Sequence, residues 1–428
     1  MRRYAAAACL VLAPVALAIS TGVDPALGTD QLYGVYRAHP DAIQWHSILL
    51  HWAWVLFVPG LLGLLSPIRR RGGALARVAW YSAIFGLVTF SALMSFDFVL
   101  LALEQNVSNE EAARVEETFS AMPWATWGWQ VPGLAGWLLA LVLTPIAAAR
   151  GRVISWWVAA AALAGTALYL LFAISPVPLC LTGPVVLIGA YGAAAWQLLR
   201  ARPDATEPDR FGAFRHRVGV ICLYAAPLAF AVGMATVPGW SADPAASLEH
   251  PGLTQASGFF LHLAWVLFIP AVLTVARAGG RFSQIVGGIT AVGLMNFSGL
   301  MVGDYTDLAA RQVLGDATAE KVNETLGGYP LFSLAWAVPG MVLSIVGLIV
   351  LAVAATVDKL VRWWVPVVVF VGFALFFTLG VGPLGVLGPL VLLVGFGLLA
   401  RRLPVPGRPT VDGPAAATAT DADSLVIR

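Results

Sequence analysis

The chain has 428 residues, 59% of them apolar and only 11% charged, with a formal net charge of +2. Soluble domains carry about 25% charged residues, so this composition excludes an ordinary soluble fold. The three cysteines, Cys9, Cys180 and Cys222, all fall in apolar segments and form no CxxC, which argues against a disulfide framework or a thiolate metal site.

Apolar runs of about 18–25 residues alternate with short charged loops and match a hydrocarbon core of about 30 Å at about 1.5 Å per residue. Backbone groups in lipid must be satisfied internally, so the runs are read as helices. A β-barrel would alternate apolar and polar residues, and these runs do not. The reading places twelve spans near 4–22, 47–65, 79–103, 124–147, 154–174, 179–199, 218–237, 258–276, 284–303, 331–355, 363–379 and 384–400.

Orientation follows from Lys and Arg in the loops. With the N-terminus inside, all but four of the 25 basic residues fall in cytoplasmic segments; the four outer ones are Arg37, Arg114, Arg311 and Lys321. Both termini are therefore expected in the cytoplasm and the protein in the plasma membrane. Topology accounts for the basic loops, so no nucleic-acid partner is expected. The first span has the look of a signal peptide. However, Cys9-Leu10 and Pro14 recur in span 7 as Cys222-Leu223 and Pro227, which argues for a retained helix.

That recurrence runs along the whole chain. Leu50-His51-Trp52-Ala53-Trp54-Val55-Leu56-Phe57-Val58-Pro59 returns as Leu261-His262-Leu263-Ala264-Trp265-Val266-Leu267-Phe268-Ile269-Pro270. Asp97 pairs with Asp304, and the same spacing relates Gln105 to Gln312, Val115 to Val322, Pro123 to Pro330 and Trp129 to Trp336. The expected architecture is all-α: two parallel six-helix repeats, 1–199 and 217–403, related by a pseudo-two-fold axis along the membrane normal. Residues 200–216 read as the cytoplasmic linker, and 404–428 as a disordered cytoplasmic tail. In topology alone this plan resembles solute transporters of the major facilitator type. That family's Gly…Asp-Arg…Gly-Arg motif is absent, since the loop Ser66-Pro67-Ile68-Arg69-Arg70-Arg71-Gly72-Gly73 lacks the aspartate. The acidic segments Asn109–Phe119 and Thr318–Leu326 have spaced apolar residues and read as short amphipathic helices over the outer mouth, or as solvated connectors. The Ala-, Gly- and Arg-rich composition points to a bacterial source.

Intramembrane ionisable groups are costly and usually face a bundle interior. The candidates for substrate binding or proton relay are His51, Asp97 and Trp129 with their counterparts His262, Asp304 and Trp336. Trp54 and Trp265 stand three residues after each histidine, on the same helix face, where an indole can stack on a ligand or on the imidazole. Pro59 and Pro270 free the carbonyls of Val55 and Val266. Three roles fit the histidines. They can hold helices together through Asp97 or Asp304, line an outward-facing cavity, or ligate haem or a metal. No cofactor is predicted, haem being the exception under the last role, and no HExxH or acidic ligand cluster supports that role. Gly-x-Ser-x-Gly and P-loop motifs are missing, so the reading leans away from an enzyme. The function expected is binding or carriage of a small molecule between the repeats. A non-catalytic scaffold or accessory subunit and a bis-histidine redox protein are the alternatives. Beyond the bilayer and that small molecule, no partner is specified.

Overall fold

The computed structural model describes residues 2–29, 33–201, 208–239 and 244–404. Among them every regular element is helical. Ten helices among the described residues are long and apolar enough to cross a membrane, and the chain is a multi-pass helical membrane protein. The ten are α1 (Arg3–Val23), α2 (Pro40–Leu65), α3 (Gly73–Asn106), α5 (Pro123–Arg150), α7 (Leu179–Arg200), α8 (Arg210–Ala235), α9 (Pro251–Ala278), α10 (Arg281–Leu314), α12 (Pro330–Val357) and α14 (Pro383–Arg402). Two shorter apolar helices complete the set, α6 (Trp156–Phe172) and α13 (Trp364–Leu379). At 17 and 16 residues they reach only about 24–26 Å at 1.5 Å per residue.

Two amphipathic helices lie where the acidic segments were expected, α4 (Asn109–Ala121) and α11 (Asp316–Gly327). A capping box starts α4: the Ser108 hydroxyl accepts from the Glu111 N–H, and the Glu111 carboxylate accepts from the Ser108 N–H at 3.0 Å. These bonds hold the Glu111 carboxyl below its usual range. Each amphipathic helix packs on the opposite half, α4 on the end of α10 and α11 on the end of α3. Asn106 on α3 donates to the Thr325 hydroxyl at 2.9 Å, and Tyr329 donates to Gln105 at 2.9 Å. Nearby, Tyr33 donates to Glu116 at 2.6 Å, and burial together with that carboxylate pushes its phenol up to about 12.

Arg311 ties α10 to α11, reaching Asp307 at 2.8 Å, Asp316 at 3.1 Å and Glu320 at 3.2 Å. Arg311→Ala would leave these carboxylates facing one another. We expect amide exchange in α11 to speed up by about tenfold, the equivalent of one charge-assisted hydrogen bond. Unchanged exchange would show that the α11 dock does not depend on the arginine.

The helices meet by small residues, as lipid-embedded bundles require. A Cβ on Gly86 of α3 would fall inside the Gly136 backbone of α5, and one on Gly63 of α2 would fall on Ala6 of α1. α1 packs on α2 and α7; α8 packs on α9 and α14. Helix α8 begins at Arg210, inside the segment expected as linker, because Asp209 caps it by accepting from the Gly212 N–H at 2.6 Å. Linker residues 202–207 and the expected tail from residue 405 lie outside the described residues.

Candidate functional site

Pro132 and Pro339 stand near the starts of α5 and α12 and cannot donate to the carbonyls four residues back, those of Gly128 and Ala335. Each helix responds with one π turn, Thr126–Gln130 and Ser333–Ala337. Such turns break the regular ladder at positions often used for function. Trp129 and Trp336 sit on these turns, and each is buried against a histidine of the opposite half.

His51 on α2 is fully buried and stacks on Trp336, with centroids 3.4 Å apart and planes 18° apart. Its Nδ1 lies 3.1 Å from the Ser91 carbonyl, and its Nε2 lies 2.8 Å from Asn296 Oδ1. The Trp336 indole donates to the Asn296 carbonyl at 3.0 Å. His262 on α9 repeats the arrangement from the other side. It packs on Trp129 at 3.8 Å, with Nδ1 3.1 Å from the Ser298 carbonyl and Nε2 2.9 Å from the Thr89 hydroxyl. The Trp129 indole donates to the Thr89 carbonyl at 2.9 Å. The two histidines are thus clasped crosswise. Each is held by one carbonyl of its own half and by a side chain and an indole of the other.

The clasps differ in hydrogen-bond valence. A neutral His262 with its proton on Nδ1 donates to Ser298 and accepts from Thr89, so both nitrogens are satisfied. His51 faces two acceptors, because the Asn296 NH2 is already used on the Val292 carbonyl at 2.9 Å. A neutral His51 needs that amide rotated, which would turn its oxygen onto the Val292 carbonyl.

The two aspartates do not join the rings. Asp97 on α3 accepts from the Ser47 hydroxyl at 3.0 Å, one turn before His51. Asp304 lines a separate cavity of about 250 Å³ with Asp307, Arg311 and Ser257. The expected helix-joining route through these carboxylates is therefore corrected: Ser91, Asn296, Thr89 and Ser298 hold the rings instead. Stacking of Trp54 or Trp265 on the imidazoles is corrected as well. Trp54 packs among Phe57, Phe90, Trp137 and Tyr169, and Trp265 among Phe230, Phe268 and Phe297.

Glu104 was not singled out from sequence. It is fully buried; one carboxylate oxygen accepts from the Arg37 N–H at 2.9 Å and the other has no hydrogen-bond partner. Its charge is the available signal, but it stands just past the apolar run read as the span 79–103.

Among the described residues, two of the larger cavities touch both halves. A groove of about 780 Å³ runs between α3, α5 and α9, with Trp124, Trp127 and Phe259 at one end and Thr89 and His262 in its wall. Val266, whose carbonyl Pro270 frees, lines it too. The second, about 480 Å³, lies at the arginine-rich end against Arg3, Arg215 and Arg277. A haem or metal taking either histidine would have to displace Asn296 or Thr89 from Nε2, or a backbone carbonyl from Nδ1. Compared with known proteins, the chain matches no family model, no curated protein and no solved structure.

Proposed function

We propose that the protein binds a small lipophilic molecule in the groove between its halves, at the wall formed by Thr89 and His262. In this reading the chain is two parallel six-helix repeats of twelve spans, with α6 and α13 counted as short spans. It lies in the plasma membrane with both ends cytoplasmic, so the groove opens toward the outer leaflet. The observation that carries it is that an apolar hollow of about 780 Å³ touching both halves reaches a histidine. Ligand sites are concave and mostly apolar, with few convergent polar groups.

A second reading is favoured by one observation. Both histidines are buried and have protein partners on both ring nitrogens, as a purely structural clasp in a scaffold would have. Comparing His262→Ala with His51→Ala in the detergent-purified protein separates the two readings. Both substitutions remove a clasp, but only His262 lines the groove. Native mass spectrometry should show a small molecule retained by wild type and His51→Ala and lost from His262→Ala. Equal loss of thermal stability in both variants, with nothing bound to wild type, would make the protein a scaffold.

A further inference from the structure

The two copies of the histidine phrase differ immediately after the histidine, Trp52 in one and Leu263 in the other. Trp52 donates its indole N–H to the Ala335 carbonyl at 3.2 Å. That carbonyl is the one Pro339 deprives of its regular helical donor. The N-terminal half of the chain therefore supplies, from α2, a planar ring with one donor to cover the opening in the π turn of α12.

The matching place in the other pairing is Gly128, which Pro132 deprives in the same way. Among the described residues no tryptophan N–H bonds to its carbonyl. Leu263 stands where Trp52 stands in the first copy, Gly128 is half-buried, and both line the groove beside His262. Among the described residues no side chain bonds to the Gly128 carbonyl. The walls around it are Phe259, Trp124, Trp127, Phe85 and Val266. Such walls exclude a charged ligand, whose burial would go uncompensated, and they favour flat rings.

Building on the groove reading, we infer that the chain has two equivalent ring sites. One is filled by its own Trp52; the other is left open for a neutral planar aromatic molecule bearing a single N–H or O–H donor. Trp52 is the built-in counterpart of the ligand, and the Gly128 carbonyl is the acceptor that the ligand's donor meets.

The test is equilibrium dialysis of radiolabelled indole against the full chain in detergent, corrected for partition into empty micelles. Wild type should bind one indole per chain, Leu263→Trp none and Trp52→Leu two. 1-Methylindole, which lacks the donor, should bind about tenfold more weakly, the loss of one hydrogen bond in a dry site. The exchanged chain Trp52→Leu/Leu263→Trp should bind one again, which controls for damage to the fold by either single change. If wild type binds no indole, the open ring site is overturned, while the groove reading stands or falls separately on whether a small molecule is retained by wild type and lost from His262→Ala. If wild type binds one that Leu263→Trp removes, while Trp52→Leu stays at one, the groove site stands and the pairing with Trp52 is overturned. If 1-methylindole binds as well as indole and oleate displaces both, the groove holds lipid chains and the donor-bearing ligand is overturned.

Discussion

Trp336→Ala is expected to destabilise the protein by about 3–5 kcal/mol, the range for removing a large buried aromatic. The indole is fully buried, stacks on His51 and contacts Phe98 and Phe332 at its edges. Its N–H holds the carbonyl of Asn296, whose side chain in turn holds His51. Truncation therefore leaves a cavity and loosens both remaining members of the clasp. In lipid the lost term is packing rather than transfer from water, and the cavity cannot refill with solvent at that depth. Trp336→Phe keeps one ring but loses the N–H and part of the indole's volume, so it should cost less than Trp336→Ala, about 1–3 kcal/mol from one hydrogen bond and a smaller cavity. Unfolding of the purified protein in rising SDS reads both. His51→Ala combined with Trp336→Ala should cost clearly less than the sum of the two, because they share one contact. Additive losses, or a Trp336→Ala variant within about 0.5 kcal/mol of wild type, would show that the clasp does not hold the halves.

Gly86→Val should cost about 3 kcal/mol or more, at or beyond the upper end of usual overpacking penalties. The Cβ alone would lie inside the Gly136 backbone, and the same holds in reverse. Backbone cannot rotate away as a side chain can, so α3 and α5 must separate. That movement shifts Thr89 and Trp129, which stand on these two helices and hold His262. Loss of indole binding should therefore accompany the loss of stability. Gly189→Val is the control: nothing lies within 4 Å of a Cβ there, and its effect should stay within about 0.5 kcal/mol. If Gly86→Val unfolds no more readily than Gly189→Val, the close approach of α3 and α5 contributes little.

Much of this arrangement can be read from residue order. Long apolar runs place the spans, because the bilayer imposes length and internal hydrogen bonding. The acidic segments at 109–119 and 318–326 are helical because their apolar residues are spaced for one face, and α4 and α11 bear that out. His51, His262, Trp129 and Trp336 stood out as recurrent residues at matched depth. Thr89 with Asn296, and Ser91 with Ser298, recur at the same spacing as Trp129 with Trp336. Only that spacing marks them, because serine, threonine and asparagine are common in spans and carry no charge. The repeat was the signal that would have found them.

The sequence by itself determined that the chain is a bundle of apolar helices, where its helices run, and which ionisable and aromatic groups they carry into the membrane. Only the tertiary structure decided which of these groups touch. Spans that are apolar all round have no periodicity to say which face meets which neighbour. Nothing in residue order therefore shows that each tryptophan crosses to the histidine of the other half, or that Asp97 and Asp304 stay apart from the rings. The same holds for Trp52 and Leu263. As letters they are two apolar residues. The helix crossings make one of them the cover of a proline-freed carbonyl and leave the other beside an open groove.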